Sequence, residues 1–322
     1  MFKLNKLKTL FFKETFIAFY KENDNFLVQK KVVKNEKVIE EINNSLNEEE
    51  LIEFINKAFI ENTQTYISTI IDSFNQGIVD SCSHTKYKEL GINIDNIKIL
   101  CLDNYSIFIG LYELNNYKKE LNKFKTDFIF SPYLIIDLHK KDKNNSLYML
   151  LTNNFIIITI YSKKTPVYSN IHQFKVEDII QNEDENNDTQ FEEESIDNDI
   201  DIIDDIDDID DIESLDDSLD DIDEIDDIDD VDIPNIDQKE VQEEILTTKT
   251  EMEIIEFLKS SIKDYYENYN SDFLENIYLL YTDKLDDKFS QNIENEIFME
   301  INTEKIDILS DINNLALKEL SV

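Results

Sequence analysis

Apolar and polar residues alternate over two short runs near the start of the chain, residues 15–20 and 26–33, with the polar stretch Glu22–Asn25 between them. Alternation with a period of two is typical of half-buried strands. Residues 15–40 are therefore predicted to form two or three strands, with a turn at Glu22–Asn25.

Helical and strand-like patterns share the rest of the first half of the chain. Ser45 and Glu48 have the spacing of a capping box, and apolar residues then recur every three or four positions, which predicts a helix. The stretch from 72 to 95 is polar and is expected to be irregular. The other predicted elements are a strand at 66–71, a hairpin of strands 97–102 and 107–111 around Asp103 and Asn104, and a helix at 113–125.

Strand-like and helical patterns also fill the second half. An apolar run at 128–136 predicts a strand in which Pro132 marks an edge or a bulge. Thr248 and Glu251 form a second capping box. The predicted elements are a strand meander of 147–151, 155–161 and 167–169, then a helix from Thr248, a strand at 277–281, a helix at 284–295, a strand at 297–301 and a helix at 306–320. A strand–helix–strand crossover of this length implies a parallel pair of strands.

Charge is distributed unevenly along the chain. The sequence has 72 acidic against 31 basic residues, a formal net charge of −41, and the acids concentrate at 181–245, where Lys239 is the only base. Ile-Asp-Asp triplets at about 203–231 place an apolar residue at every third position, which builds neither a helix face nor a strand face. We therefore expect 181–245 to be a disordered, solvated segment. Calcium binding of the EF-hand type is not expected, because the segment contains no glycine.

Net negative charge also disfavours nucleic acid as a partner, because it repels the phosphate backbone. The basic residues Lys3, Lys6, Lys8 and Lys13 would suit an anionic membrane surface, but a frayed arm leading into the first strand is the favoured interpretation. No apolar run is long enough to span a membrane. Cys82 and Cys101 have no metal-binding or redox spacing, which favours a reducing cytoplasm.

Glycine is scarce: the chain contains only Gly77, Gly91 and Gly110. Loops that bind phosphate need clustered glycines so that backbone N–H groups can approach the anion. No two of these glycines are close enough to form such a loop, so the Walker A, dinucleotide-binding and kinase loops are all excluded.

Side chains that could support catalysis or metal binding are sparse. His84, His139 and His172 have neither ligand nor triad spacing. Asp137 and His139 would share a face of the predicted strand, but the sequence supplies no third metal ligand. Tyr265, Tyr266 and Tyr269 have helical spacing and are expected in the core and at its rim, with a partner groove as the alternative. The sequence thus predicts no catalytic, cofactor-binding or metal-binding residue, and no enzyme activity.

Three stretches carry a resemblance to a known family: Phe128–Pro132, Ser146–Ser169, and Glu251–Leu320, which includes the helix Ser261–Tyr266. Their order resembles that of bacterial assembly-platform proteins with the actin-like fold, namely PilM, MshI and the cytoplasmic part of GspL. The resemblance implies an α/β, actin-like two-lobed fold (ribonuclease H-like repeats), interrupted by the disordered acidic segment. The lobes implied are 1–126 for the first, and 127–180 with 246–322 for the second.

The chain departs from this family at the nucleotide site. Members that bind ATP carry Asp-x-Gly at two hairpins and a glycine cluster in the closing unit, whereas residues 21–25, 152–154 and 281–284 contain no glycine. The resemblance therefore implies a scaffold without a cofactor, cytoplasmic or peripheral at the inner membrane. Its implied partner is an inner-membrane protein similar to PilN or GspM, and a traffic ATPase is a second candidate, in a type IV pilus, type II secretion or DNA-uptake machine. The alternative is an acidic adaptor whose Asp-rich segment binds basic partners.

Overall fold

The chain divides into a large compact unit and a smaller one. The larger unit comprises residues 1–175 and 245–322, and the smaller comprises 176–244. The computed structural model describes residues 13–22, 24–35, 37–61, 64–141, 145–174, 238–269, 273–283, 285 and 287–321, with the backbone alone at 238–250, 287 and 321. The predicted basic arm up to residue 12, and the predicted disordered segment from 181 to 237, lie outside the described residues.

The first sheet has the strand order β3-β2-β1-β4-β8. Its first three strands form an antiparallel meander, whereas β4 runs parallel to both β1 and β8. Helix α1, Glu48–Glu61, connects β3 to β4. The strands are β1 (Glu14–Glu22), β2 (Asn25–Lys34), β3 (Lys37–Leu46), β4 (Gln64–Ile70) and β8 (Phe128–Phe130). The two strands predicted at 15–20 and 26–33 and the turn between them are confirmed, and the third strand that the prediction allowed is β3, which extends beyond residue 40 to Leu46.

The second sheet repeats this plan with the order β11-β10-β9-β12-β13. Three antiparallel strands again precede two parallel ones, and helix α6, Asp287–Ile297, makes the crossover from β12 to β13. The strands are β9 (Ser146–Leu151), β10 (Phe155–Ser162), β11 (Thr165–Gln173), β12 (Asn276–Tyr281) and β13 (Ile301–Lys305). The predicted meander and the predicted parallel pair are both confirmed, and the described chain consists of two halves built on one plan.

A third, smaller sheet in the described part of the chain has the order β5-β7-β6 and lies between β4 and β8 in sequence. Its strands are β5 (Gln76–Val79), β6 (Ile97–Cys101) and β7 (Ser106–Gly110), and the predicted hairpin at Asp103 and Asn104 is confirmed. The remaining helices are α2 (His84–Glu89), α3 (Leu111–Leu121), α4 (Tyr133–His139), α5 (Gln238–Asn268) and α7 (Ile308–Ser321). The irregular structure predicted at 72–95 is wrong at β5 and α2, because elements of four and six residues are too short to show a period.

The apolar side chains of the described residues fall into three clusters. The largest joins both halves, with Phe16 and Ala18 of β1, Tyr148 of β9 and Ile312 of α7 among its members. The other clusters cover the outer faces of the two sheets beneath α1 and beneath α5 with α6. Because alternate residues of a strand face opposite sides, Ile17 lies in a different cluster from its neighbours on β1.

The strand predicted at 128–136 is wrong beyond Phe130. Pro132, with a φ of −62°, is the N-cap residue immediately before helix α4, and the backbone N–H of Leu134 donates to the Ser131 carbonyl oxygen. Proline suits the start of a helix because its fixed φ is helical and its missing N–H would have no intrahelical partner. β8 pairs with β4, so it completes the first sheet and does not open the second lobe at residue 127 as predicted.

The capping box predicted at Ser45 and Glu48 is also wrong, although the helix itself is confirmed. Ser45 belongs to β3, and the box is formed by Asn47 and Glu50. The Asn47 side chain accepts from the Glu50 backbone N–H at 3.0 Å, and the Glu50 carboxylate accepts from the Asn47 N–H at 2.9 Å. Asparagine caps a helix as well as serine does, so the sequence spacing offered two solutions two residues apart.

Two boundaries in the closing unit differ from prediction. Helix α5 begins at Gln238, ten residues before the predicted start at Thr248, so residues 238–245 are helical rather than disordered. Most of these residues are Gln, Glu or Lys, which form helices readily, and the stretch lacks the Ile-Asp-Asp triplets. β13 spans Ile301–Lys305, four residues after the predicted 297–301, because the apolar residues before Ile301 end helix α6 and form the following turn.

Candidate functional site

The structure brings together the three glycine-free bends that correspond to the nucleotide loops of the resembling family. Asn154, in the β9–β10 turn, donates from Nδ2 to the carbonyl oxygen of Lys21 at 2.9 Å. Asn153 donates from Nδ2 to the Glu22 carboxylate at 2.5 Å, and the same nitrogen lies 3.5 Å from a carboxylate oxygen of Asp283. The two hairpins of the two halves therefore contact each other directly, and we name this set of contacts the hairpin junction.

Thr152 organises the β9–β10 turn without a glycine. Its Oγ1 accepts from the backbone N–H of Asn154 at 3.3 Å and of Phe155 at 3.1 Å, and it donates to the Phe155 carbonyl oxygen at 3.1 Å. A threonine hydroxyl used in this way replaces a backbone turn. Because the hydroxyl occupies these two N–H groups, they cannot donate to a bound anion.

Tyr20 adds a buried contact beneath the junction. Its hydroxyl donates to Thr152 Oγ1 at 3.4 Å, and the side chain is 4% exposed. Burial raises the pKa of Tyr20 far above its ordinary value of 10.0. The hydroxyl therefore stays protonated at neutral pH and remains a donor.

The charge at the junction is negative on both sides. Glu22 and Asp283 each have a carboxylate oxygen within 3.5 Å of Asn153 Nδ2. Carboxylates repel phosphate groups unless a cation lies between them. The arrangement can therefore join the two halves, and two carboxylates face the point where they meet.

The end of β4 closes the neighbouring side of the junction. Gln173 of β11 donates to the carbonyl oxygen of Asp72, and Tyr117 of α3 donates to the Ile70 carbonyl oxygen at 2.8 Å. Burial raises the pKa of the Asp72 carboxyl group, and the charge of Lys21 opposes that rise. These bonds fix the end of β4 to the second sheet and to α3 through side-chain donors and main-chain acceptors.

A second set of contacts joins helix α7 to the first sheet. Gln29 of β2 is fully buried and donates to Asp307 at 3.1 Å, and Asn313 of α7 donates to Gln29 Oε1 at 3.1 Å. Lys31 donates to the Ser310 hydroxyl at 2.7 Å. Buried polar side chains are costly unless they are hydrogen-bonded, so these bonds specify how α7 seats on the first sheet.

His139 is the histidine with the most contacts among the three that the sequence analysis considered. It lies on α4 with Asp137, not on a strand, and its two ring nitrogens contact Asp311 at 2.8 Å and Glu304 at 3.1 Å. The hydrogen bond with Asp311 is the main cause that raises the pKa of His139, and burial opposes it. The sequence analysis missed Glu304 because it placed β13 four residues too early, and it missed Asp311 of α7 because no local pattern shows that α7 lies beside α4.

The other candidate side chains are distributed without a common site. His84 is exposed at the start of α2, and His172 on β11 has Nε2 4.0 Å from Glu253. Tyr265 is buried as predicted, whereas Tyr269 is partly exposed and packs edge-on against Tyr168. Within the described residues, no group of three or more His, Cys, Asp or Glu side chains could hold a metal ion.

Cys82 and Cys101 are close together, which their spacing in the sequence did not indicate. A disulfide links them, and their Cα atoms are 5.7 Å apart. The loop after β5 runs beside the end of β6, and such a pairing depends on sheet topology rather than on a local motif. The reducing compartment inferred from the cysteine spacing stays a prediction.

None of the helices in the described part of the chain is both long and apolar enough to cross a membrane.

Residues 147–321 match the family described as "Domain of unknown function (DUF8341)". The chain belongs to the DUF8341 family. A second family, described as "Domain of unknown function (DUF8569)", matches residues 12–137 of this DUF8341 member. The DUF8569 match ends within α4 and the DUF8341 match begins within β9, so each match covers one half of the described chain. No curated protein matches the sequence.

Solved structures similar to this DUF8341 member have low sequence identity. The PilM-PilN type IV pilus biogenesis complex aligns at 9% identity with a TM-score of 0.50, over 96% of this chain and 93% of that one. A Bacteroides thetaiotaomicron protein with an actin-like ATPase fold and unknown function aligns at 10% identity with a TM-score of 0.46, over 98% and 97%. The cytoplasmic domain of EpsL, an inner-membrane component of the type II secretion system of Vibrio cholerae, aligns at 9% identity with a TM-score of 0.32, over 50% and 71%.

The likeness to the PilM-PilN complex bears on the fold alone. The mixed α/β architecture and the two five-stranded sheets of the described residues, which share one strand order, agree with it. The predicted actin-like two-lobed fold is confirmed.

Proposed function

We propose that this protein is a non-catalytic scaffold that docks an inner-membrane assembly protein of the PilN or GspM kind. It would act in the cytoplasm, peripheral to the inner membrane, in a type IV pilus, type II secretion or DNA-uptake machine. The hairpin junction carries the proposal: the bends that hold phosphate in ATP-binding relatives are tied to each other by Asn153 and Asn154. A fold held in one arrangement without nucleotide suits a docking platform.

Fold likeness supports the kind of partner. The alignment with the PilM-PilN complex extends over nearly all of both chains. A short cytoplasmic tail beside a membrane span tends to carry Lys and Arg, and the residues of this chain outside the acidic segment also include more acids than bases. Charge complementarity therefore favours such a tail over an acidic partner. A traffic ATPase as a second partner stays a prediction.

Cross-linking in the native cells, followed by identification of the membrane proteins bound to this chain, tests the partner. We expect an inner-membrane protein with a short cytoplasmic tail, belonging to a pilus, secretion or DNA-uptake machine. The purified chain should then bind a synthetic peptide of that tail and not a scrambled peptide of equal charge. Recovery of membrane proteins that include no component of these machines would contradict the proposal.

The acidic adaptor remains the alternative function, because the acids concentrate at 181–245 with Lys239 as the only base. Deletion of 181–237 distinguishes the two functions, because it removes most of the acidic segment and leaves the whole of helix α5 in place. If the protein is a scaffold, folding and tail binding should survive the deletion. If it is an acidic adaptor, partner binding should be lost while the fold survives.

A further inference from the structure

The last turn of helix α1 exposes two large apolar side chains. Ile60 is 87% exposed and Phe59 is 36% exposed, whereas Ala58 beside them is buried in the cluster beneath the helix. An isoleucine left almost wholly in water contributes little to the fold, because an apolar side chain stabilises when it is buried. Single exposed apolar residues are common on proteins, so the charges around this turn decide what it can contact.

Lys125 extends over this turn and keeps its charge at the surface. Its Nζ donates to the side-chain oxygen of Asn56 at 3.1 Å and lies 5.1 Å from the centroid of the Phe59 ring. Both partners are neutral, so neither offsets the charge of the ammonium group. A positive charge therefore lies beside the exposed apolar side chains.

The acid that ends α1 does not cancel this charge. The Glu61 carboxylate lies 3.6 Å from Lys30 Nζ and 3.9 Å from Lys57 Nζ. Lys30 also pairs with Glu40 of β3 at 3.2 Å. This group of two lysines and two acids is neutral as a whole, so the end of α1 adds no net negative charge.

The segment 118–126, which ends α3 and packs against α1, is basic. It contains four lysines and one acid, Glu120. Lys118 and Lys119 are both exposed in the last turn of α3, and Lys123 pairs with an acid of α1. The surface beside the end of α1 is therefore positive, in a chain with 72 acidic and 31 basic residues.

The start of β1 brings more lysines to the same place. Glu14 lies opposite Gln64, the first residue of β4, and the neighbouring Thr65 donates to the carbonyl oxygen of Ala58 in α1 at 3.3 Å. The chain before β1 therefore leaves the described fold beside the end of α1. Residues 1–13 contain four lysines, seven apolar residues and no acid. Lysines mixed with large apolar residues suit the surface of an anionic membrane.

We propose that the basic surface at the end of α1 rests on a membrane that contains anionic lipids. This surface, which we name the α1 surface, consists of Phe59, Ile60, Lys118, Lys119 and Lys125. The lysines attract the negative headgroups, and Ile60 enters the boundary between headgroups and acyl chains. A nucleic acid fits less well, because its phosphates would meet the lysines but would leave Ile60 in water. The inference rests on the proposed function only in placing the protein at the inner membrane.

Flotation of the purified full chain with lipid vesicles tests this contact. We expect binding to phosphatidylcholine vesicles that contain about 30% phosphatidylglycerol at about 0.15 M salt, where repulsion from distant acids is screened. Binding to phosphatidylcholine alone should be much weaker, and added salt should reduce binding to the anionic vesicles. Absence of binding to the anionic vesicles, or equal binding to both kinds, would overturn the proposal. Binding of duplex DNA instead of vesicles would also overturn it and would make nucleic acid the partner.

Ile60→Gln tests insertion of the apolar side chain without changing any charge. We expect this variant to bind the anionic vesicles about 3- to 10-fold more weakly, because part of the apolar burial is lost. The matched control is Met252→Gln, which changes another exposed apolar residue of a helix and should bind like the wild type. Equal binding by Ile60→Gln and its control would contradict insertion at the end of α1.

K118Q/K119Q tests the charge of the α1 surface. Removing two lysines should weaken binding to the anionic vesicles about 5- to 30-fold. K163Q/K164Q is the matched control, because it removes another adjacent pair of exposed lysines, in the turn between β10 and β11. The same loss in both double variants would mean that total charge, and not this surface, attracts the lipid, which would overturn the proposal.

The tail peptide of the membrane partner distinguishes a failure of this inference from a failure of the proposed function. The vesicles contain no protein, so their binding does not depend on that tail. A chain that binds the tail peptide but not the anionic vesicles would overturn the lipid contact alone. A chain that binds the vesicles through the α1 surface but binds no such tail would overturn the proposed partner alone.

Discussion

Asn154 of the second hairpin donates a hydrogen bond to the carbonyl oxygen of Lys21 in the first hairpin, across 133 residues of sequence. The acceptor is a main-chain atom, so the side chain of Asn154 alone decides whether this bond forms. Asn153 beside it reaches the Glu22 carboxylate. Two adjacent amides thus link the halves at two of the bends that the sequence analysis compared with the nucleotide loops of the resembling family.

Asn154→Ala removes the bond to Lys21 without creating a cavity. We expect the free energy of unfolding to fall by about 0.5–1.5 kcal/mol, the usual contribution of one hydrogen bond. Urea denaturation measures this change. Asn43→Ala, an exposed substitution on β3, is the control and should stay within about 0.5 kcal/mol of the wild type. Equal effects of the two substitutions would show that the bond contributes nothing.

Thr152→Val tests how the β9–β10 turn is built. The valine methyl group cannot accept from the N–H groups of Asn154 and Phe155, so both lose their partner. Leaving buried donors unsatisfied costs about 1–3 kcal/mol, and we expect a loss of that size in urea denaturation. Thr152→Ser keeps the hydroxyl and should lose much less. Similar losses for both variants would mean that packing of the methyl group, not the hydroxyl, holds the turn.

Asn47→Ala tests the corrected helix cap. Removing the side chain that accepts from the Glu50 N–H should lower the free energy of unfolding by about 1 kcal/mol. Ser45→Ala, at the position that the sequence pattern favoured, should have little effect, because Ser45 lies on β3. The reverse order of the two effects would contradict the observed start of α1.

His139 should make stability depend on pH. Its pKa is raised above the ordinary 6.5 in the folded state, mainly by the hydrogen bond with Asp311, and Glu304 contacts the other ring nitrogen. The stabilisation is therefore fully present below the unfolded pKa and is lost as pH rises through the folded pKa. We expect the urea midpoint of the wild type to fall across this window.

Substitution at position 139 separates this effect from other titrations. His139→Asn should remove most of the pH dependence above about pH 6, where an unfolded histidine begins to lose its proton. His84→Asn is the matched control, since His84 is exposed at the start of α2, and it should keep the slope. An unchanged slope in His139→Asn would show that the contacts with Asp311 and Glu304 do not couple protonation to folding.

The sequence pattern predicted most strands of the fold because their apolar residues stand out from the polar turns on either side. β1 and β10 carry alternating or continuous apolar residues bounded by polar turns, so both hairpins could be located from the sequence. Helix α4 could not, because residues 133–136 are apolar without a period and a short apolar run suits a helix or a strand equally. The sequence analysis placed β13 four residues too early because only Ile301 among its residues is buried.

The candidate site was predictable in position but not in contacts. The three glycine-free bends were expected to correspond, and the structure places them within hydrogen-bond distance of one another. That Asn153 would reach Glu22, 131 residues earlier, depends on how the two sheets pack, and no local pattern encodes it. The contact of His139 with Glu304 was also hidden, because Glu304 lies on β13, the strand that the sequence analysis placed too early.

Calorimetric titration of the purified full chain with magnesium ATP tests the central claim most directly. Thr152 occupies the amides of its turn, and Glu22 and Asp283 make the junction negative, so we predict no saturable heat up to about 1 mM nucleotide. Thr152→Val, which frees those amides, provides a comparison under the same conditions. Saturable binding to the wild type with micromolar affinity would contradict the account of a scaffold without a nucleotide site.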